Sequence, residues 1–351
     1  MHVGIAWKGL RGYSRICLSI PKVPGILPIL MRWQPRRKRR SYHTCGRSKR
    51  KGKGMARKVS SNGIEICYDT FGKKNNRPLI LIMGLATQMV AWPEPFCRML
   101  AEAGHFVVRF DNRDVGQSTR MKRLYVPDVE ALMAETAAGR QVWVPYTLLD
   151  MADDTVGLMD ALEIDHAHVC GLSMGGMIAQ VIAVEYPERL KSLITIMSTT
   201  GEPDLPPPTD EALAAMMSAP PAKRAAYIDH MAGIYRIFAG GSTFYDEKLQ
   251  RELSAKSFDR GIYAPGFLRQ MAAIIGAGGR RHRLEHLDIP TLVIHGDCDP
   301  VVPLAHGRDT ADIIPGARLE VISGLGHGTA FPDLWEQMVA AIAEHTAAAE
   351  T

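Results

Sequence analysis

The chain has no Cys-x-x-Cys pair, for its six cysteines stand apart at positions 17, 45, 67, 97, 170 and 298. That scatter excludes the usual zinc-binding modules and offers no disulfide framework, so a reducing compartment, the cytoplasm, is expected. Nowhere does an apolar run approach the eighteen or so residues that a membrane span needs. The most apolar stretch near the start, Ile16 to Met31, is broken by Pro21, Lys22, Pro24 and Pro28, which makes a poor signal-peptide core. Acidic residues are missing altogether from 1–54, where fifteen of the 42 Lys and Arg lie; this leaves 27 basic against 37 acidic residues in the remainder. The formal net charge of +5 therefore hides an acidic globular part, and nucleic-acid binding by that part is not expected. The blocks Arg36 to Arg40 and Arg47 to Lys51 repel themselves, so 1–54 is read as a basic, disordered extension with Met55 as the natural first residue. A targeting or nucleic-acid-binding arm is the alternative reading of the same stretch. Residues 55–351 are expected to fold as one domain.

What is present is a regular alternation of buried strands and helices. Ile64 to Tyr68 alternates apolar and polar residues, and Phe71 to Asn76 reads as a turn. The continuous apolar runs 78–84, 105–110, 168–172, 190–197 and 289–295, with 316–322 as another strand, suit strands buried on both faces. Helical periodicity covers 95–103, 129–138, 148–162, 174–184 and 334–345. Strands that alternate with helices imply an α/β fold with an open, mostly parallel sheet. Residues 201–281 break this rhythm: a proline cluster (Pro203, Pro206, Pro207, Pro208) opens a stretch of helix-like segments without a strand signal. This block is expected to be a helical cap inserted over the strand ends.

The chemistry is concentrated at three strand ends. Gly171-Leu172-Ser173-Met174-Gly175 follows a strand and opens a helix, the strand–turn–helix setting of a nucleophile elbow. Side chains two residues either side of a serine on so tight a turn would collide, and Gly171 and Gly175 remove them. A serine hydroxyl is a weak nucleophile until a base takes its proton and a carboxylate orients that base. Asp299, in Gly296-Asp297-Cys298-Asp299-Pro300, and His327, in Gly324-Leu325-Gly326-His327, each lie just past a predicted strand, where functional groups of open α/β sheets gather. Asp297 is the second candidate for the acid.

These motifs, in the order Ser173, Asp299, His327, resemble the α/β-hydrolase family from about residue 57 to the end. The resemblance implies the α/β-hydrolase fold with a catalytic triad of those three residues, no metal and no organic cofactor. It also implies an oxyanion hole made by the Met174 N–H and a second N–H from the loop after the third strand. There the chain has Met83-Gly84-Leu85, which makes Leu85 the expected donor and Gly84 the residue that lets the backbone approach substrate. Met-Gly in place of the commoner His-Gly, together with Trp92-Pro93 and Asp111-Asn112-Arg113-Asp114, resembles the aclacinomycin methylesterase-like branch. Arg113 and Asp114 are expected to brace loops. Of the cap residues Met216, Met217, Met231, Tyr235, Phe238, Phe244, Phe267 and Met271, most are read as cap core and the rest as candidates to line an acyl pocket.

The expected activity is hydrolysis of small or medium apolar carboxylic esters through an acyl-enzyme, with a small-molecule ester as the partner. An enol-lactone hydrolase, or a cofactor-free perhydrolase of the haloperoxidase-like kind, would use the same triad. Dehalogenase and epoxide hydrolase activities are disfavoured, because those relatives carry Asp at the position of Ser173. A non-catalytic binding protein of the same fold would not require the triad.

Overall fold

The computed structural model describes residues 57–350, so the expectation for 1–54 lies outside the described residues. Among the described residues the strands are β1 (Arg57–Ser61), β2 (Ile64–Phe71), β3 (Arg77–Ile82), β4 (His105–Phe110), β5 (Ala167–Leu172), β6 (Leu190–Ile196), β7 (Thr291–Gly296) and β8 (Arg318–Ile322). They form a single sheet in the order β1-β2-β4-β3-β5-β6-β7-β8, in which β2 runs antiparallel to both β1 and β4 and all other neighbours run parallel. Alternate residues of the central strands face opposite sides, as the two-residue period of a strand requires. Ile80, Ile82, Val108 and Val169 pack on one face against α3 (Leu148–Ala161) and α4 (Met174–Glu185). Leu79, Leu81, Val107 and Cys170 pack on the other against α1 (Glu94–Glu102) and α11 (Trp335–Ala348). Both faces are buried, which is why these strands read as unbroken apolar runs.

Local chemistry sets the helix starts. The Thr147 hydroxyl accepts from Asp150 N–H while the Asp150 carboxylate accepts from Thr147 N–H, a capping box at the head of α3. In the loop between β4 and α3, Asp128 caps α2 (Val129–Ala137). Between β6 and β7 the chain makes no described strand, but α5 (Asp210–Met217), α6 (Arg224–Phe238), α7 (Glu247–Arg260), α8 (Ala264–Ala277) and the short α9 (Arg281–Leu284). Thr209 and Asp246 cap α5 and α7 through their side chains. A small core of Ala212, Ala215, Ile234 and Phe238 holds α5 to α6.

Two elements differ from the sequence reading. β1 carries one apolar residue, Val59, among Arg57, Lys58, Ser60 and Ser61, so an edge strand leaves no alternating pattern. α10 (Leu304–Ile313) is a polar helix with Gly307 in its middle. A Cβ at Gly307 would lie 2.5 Å from His295 Nδ1, so the helix-weakening residue is there to admit a buried histidine.

Three histidines, His105 of β4, His168 of β5 and His345 in the last turn of α11, titrate low because they are buried. His105 and His168 are fully buried, His105 bonded to Leu100 O and Thr346 Oγ1 and His168 to Ser192 Oγ, each at 2.8 Å. Burial pushes His168 and His345 down to about 4, and His105 below its ordinary value. Around His168, Glu350 favours its charged form and His105, Lys191 and His345 disfavour it. The folded chain thus refuses protons that the unfolded chain takes below about pH 6.5. The stability from the neutral imidazoles of His168 and His345 is complete above that pH and is lost as pH falls toward 4, at up to about 1.4 kcal/mol per pH unit for each of the two. The melting temperature of His168→Gln should therefore fall less steeply between pH 7 and 4.5 than that of the wild type. Parallel curves would contradict this account.

Candidate active site

Ser173 stands between the last residue of β5 and the first of α4 with φ +55° and ψ −122°, a strained backbone for a side chain larger than hydrogen. The turn is possible only because its flanks are bare. A Cβ at Gly171 would come within 2.0 Å of Gly175 O, and one at Gly175 within 2.1 Å of Ile82 O. Ser173 N–H donates to Ile196 O at 2.9 Å, which ties the elbow to β6.

The structure brings His327 and Asp299 to this serine from the ends of β8 and β7. His327 Nε2 lies 3.1 Å from Ser173 Oγ, and His327 Nδ1 lies 2.7 Å from Asp299 Oδ2. A carboxylate cannot donate, so the proton sits on Nδ1 and Nε2 is left to accept from the serine. The Asp299 side chain is buried, and its other oxygen accepts from Val301 and Val302 N–H, each at 2.8 Å. Those bonds fix the carboxylate before any histidine reaches it. His327 is held in turn: its N–H donates to Phe238 O at 2.8 Å, and Gly328 N–H donates to Met197 Sδ at 3.2 Å.

Asp297 is not brought to the histidine. It accepts from Ser323 Oγ and Gly324 N–H, and the Gly324 bond holds its carboxyl below the usual range. Its work is to brace the loop that carries His327.

Leu85 lies with Gly84 and Ser173 along the same cavity. A Cβ at Gly84 would sit 3.2 Å from Ser173 Cβ, so the loop after β3 approaches the elbow closely. Met174 opens α4, where the helix dipole presents N–H groups to developing negative charge, and its side chain is sunk in the core. Neither the Leu85 nor the Met174 N–H has a protein acceptor among the described residues.

The segment after β4 organises the surroundings. Asp111 accepts from Met89 and Gln117 N–H and pairs with Arg260. Asn112 donates to Met83 O at 2.9 Å. Arg113 and Asp154 form a buried ion pair at 2.6 Å. Asp114, at φ +68°, accepts from Tyr146 Oη and pairs with Arg269 of α8. Arg113 and Asp114 are braces, with their charges spent inside the protein.

The strand ends and the helices of 201–281 enclose a cavity of about 670 Å³ onto which Ser173 and His327 open. All eight apolar cap residues singled out from the sequence line it except Phe244, which is 40 % exposed and covers Gly324. The expectation that most of them serve only cap packing is corrected here. A cap of so few layers must use the same side chains as core and wall, as Phe238 does. Sequence reasoning missed Gln270, which is fully buried on α8 and bonds Ala86 N–H and Arg113 O. The signal was an adjacent Arg269-Gln270 pair in an otherwise apolar helix, since buried polar groups must find partners. Among the described residues no group of three or more His, Cys, Asp or Glu is placed to hold a metal ion.

Residues 77–334 match the family described as alpha/beta hydrolase fold. The chain belongs to the alpha/beta hydrolase family. This hydrolase is 30% identical over 318 residues to rhodomycin D methylesterase DauP of Streptomyces sp. (strain C5), a match that spans 84% of this chain and 98% of the methylesterase. It is 27% identical over 266 residues to 3-oxoadipate enol-lactonase 2 of Acinetobacter baylyi, across 75% and 87% of the two chains. Among solved structures, the hydrolase is similar to a meta-cleavage product hydrolase from Pseudomonas fluorescens IP01. That likeness has a TM-score of 0.64 at 23% identity and covers 84% of this chain and 98% of the other, which speaks for the fold. No helix among the described residues of the hydrolase is long and apolar enough to cross a membrane.

Proposed function

We propose that this hydrolase cleaves uncharged esters of bulky apolar acids, methyl esters foremost, through an acyl-enzyme on Ser173. That the protein is a carboxylic ester hydrolase follows from its family and from the methylesterase it matches over nearly that enzyme's whole length. The observation that carries the residue assignment is the continuous hydrogen-bonded line from Asp299 through His327 to Ser173. Ser173 Oγ attacks the ester carbonyl as its proton passes to His327 Nε2, and Asp299 stabilises the imidazolium. The Leu85 and Met174 N–H groups receive the oxyanion. Collapse breaks the carbonyl–alkoxy bond, and His327 returns the proton to the leaving alcohol. Water, deprotonated by the same imidazole, then releases the acid and regenerates the serine.

The cavity supports the choice of acyl group. It is walled mainly by methionine, aromatic, proline and aliphatic side chains, which suit a wide apolar body. Among the described residues no lysine or arginine lines it, and its acidic residues are Asp114 and Glu202. A substrate with a second, free carboxylate would be desolvated there with no lysine or arginine to pair with, only the imidazoles of His306 and His327, at a cost of several kcal/mol. The protein is assigned to the cytoplasm, where the thiols of Cys67, Cys97, Cys170 and Cys298, all free, stay reduced.

The test is a panel of aromatic and polycyclic methyl esters, each with a matched analogue bearing a free carboxylate, beside a carboxylate-bearing enol lactone. Uncharged esters should be favoured in kcat/KM by about 100-fold or more, the equivalent of some 3 kcal/mol. Preference for the charged lactone would overturn the ester reading in favour of a lactonase.

A further inference from the structure

Residues 84–87 make a tight turn in which Thr87 N–H donates to Gly84 O at 3.2 Å. Ala86, the third residue, has φ +53°, whereas Leu85 stays out of the left-handed region. A single positive φ at that place is the mark of a type II turn, where glycine is the usual occupant. With alanine there, the orientation of the Leu85–Ala86 peptide is one the residue itself disfavours, and something must hold it.

Gln270 holds it from above. Its Oε1 accepts from Ala86 N–H at 2.7 Å, and its Nε2 donates to Arg113 O at 2.8 Å. Arg113 is an immobile anchor, since its guanidinium is locked on Asp154 and on Asp150 O. On the other side of the same peptide the Thr87 hydroxyl donates to Leu85 O at 2.9 Å. The peptide is therefore held at both ends, its N–H by Gln270 of α8 and its carbonyl by the Thr87 hydroxyl.

We propose that Gln270 is a positioning residue for ester hydrolysis: it holds the type II turn that aims the Leu85 N–H at the oxyanion. The proposal rests on the reading of Ser173 as nucleophile and Leu85 as oxyanion donor. Without Gln270 the central peptide is free to rotate, Ala86 returns to negative φ, and the turn that carries the Leu85 N–H loses its tie to α8 and to Arg113 O. Glutamine suits the task because it accepts from one backbone and donates to another. Glutamate of the same size lacks the donor and turns an oxygen toward the Arg113 carbonyl. The cap thereby sets the catalytic centre as well as the pocket.

The experiment compares kcat and KM on a p-nitrophenyl ester for wild type, Gln270→Ala, Ala86→Gly and the double variant, with Ser173→Ala alongside. Gln270→Ala should lower kcat by about tenfold or more while KM moves less than about threefold, as for a misaimed oxyanion donor. Glycine favours the type II turn unaided, so Gln270→Ala in the Ala86→Gly background should cost less than about threefold. A merely structural role would cost the same in both backgrounds, and that result, or a wild-type kcat for Gln270→Ala, overturns the proposal. If Gln270→Ala does not fold, Gln270→Glu carries the same comparison. Wild-type turnover by Ser173→Ala would instead defeat the nucleophile reading on which this one stands. An inactive Ser173→Ala beside a fully active Gln270→Ala defeats the Gln270 proposal alone.

Discussion

Ser173→Ala is expected to reduce kcat by roughly four to six orders of magnitude, the loss seen when the nucleophile of a triad is removed. The size of the effect follows from the unit nature of the site. Without Oγ there is no covalent intermediate, and neither a poised imidazole nor a preorganised oxyanion hole can substitute for the missing bond. What survives is the binding and electrostatic share. Stability should hardly change, because the hydroxyl's recorded partner is His327 Nε2 at 3.1 Å and alanine at φ +55° bears much the same backbone strain. KM should stay within a few-fold of wild type. A fluorophosphonate that labels the wild type in one place and leaves Ser173→Ala unlabelled would complete the result. Residual turnover above about one per cent of wild type, in a preparation free of contaminating esterase, would contradict it.

Asp299→Asn should cost about 10³- to 10⁴-fold in kcat, and Asp297→Asn almost nothing. The two residues are two positions apart, yet their surroundings separate them. Asp299 Oδ2 receives the His327 Nδ1 proton at 2.7 Å; an asparagine there can offer its amide protons to Nδ1 instead. The imidazole then carries its own proton on Nε2, facing Ser173, and cannot act as the base. The Val301 and Val302 N–H groups would still find an oxygen, so the fold survives and the loss is chemical. Asp297 touches Ser323 and Gly324, so its amide variant should lower the melting temperature slightly and leave kcat within about threefold of wild type. Equal losses in the two variants, or the larger one in Asp297→Asn, would move the acid to Asp297.

Much of this arrangement could be read from the sequence because each part leaves a local mark. The strands β3 to β7 are buried on both faces and so appear as apolar runs. The elbow is bounded by glycines that close packing makes obligatory. The acid and histidine loops follow strands directly, which puts their side chains at one edge of a sheet. What the sequence withheld is of another kind. β1 is an edge strand and α10 a polar helix, and neither carries a hydrophobic period. Gln270 acts on a loop 184 residues away in the chain, and no local pattern encodes which backbone group a buried amide will meet. The cap residues resisted sorting for a similar reason: in a thin layer the same methionine or phenylalanine is both packing and wall.

The cavity above Ser173 bears on more than selectivity. About 670 Å³ is volume that the protein's own atoms do not fill. A bulky ester that occupies the space supplies the dispersion contacts the walls otherwise lack and, by binding the folded chain alone, raises its stability through mass action. The enzyme is therefore least stable between turnovers and gains stability when a substrate occupies the cavity.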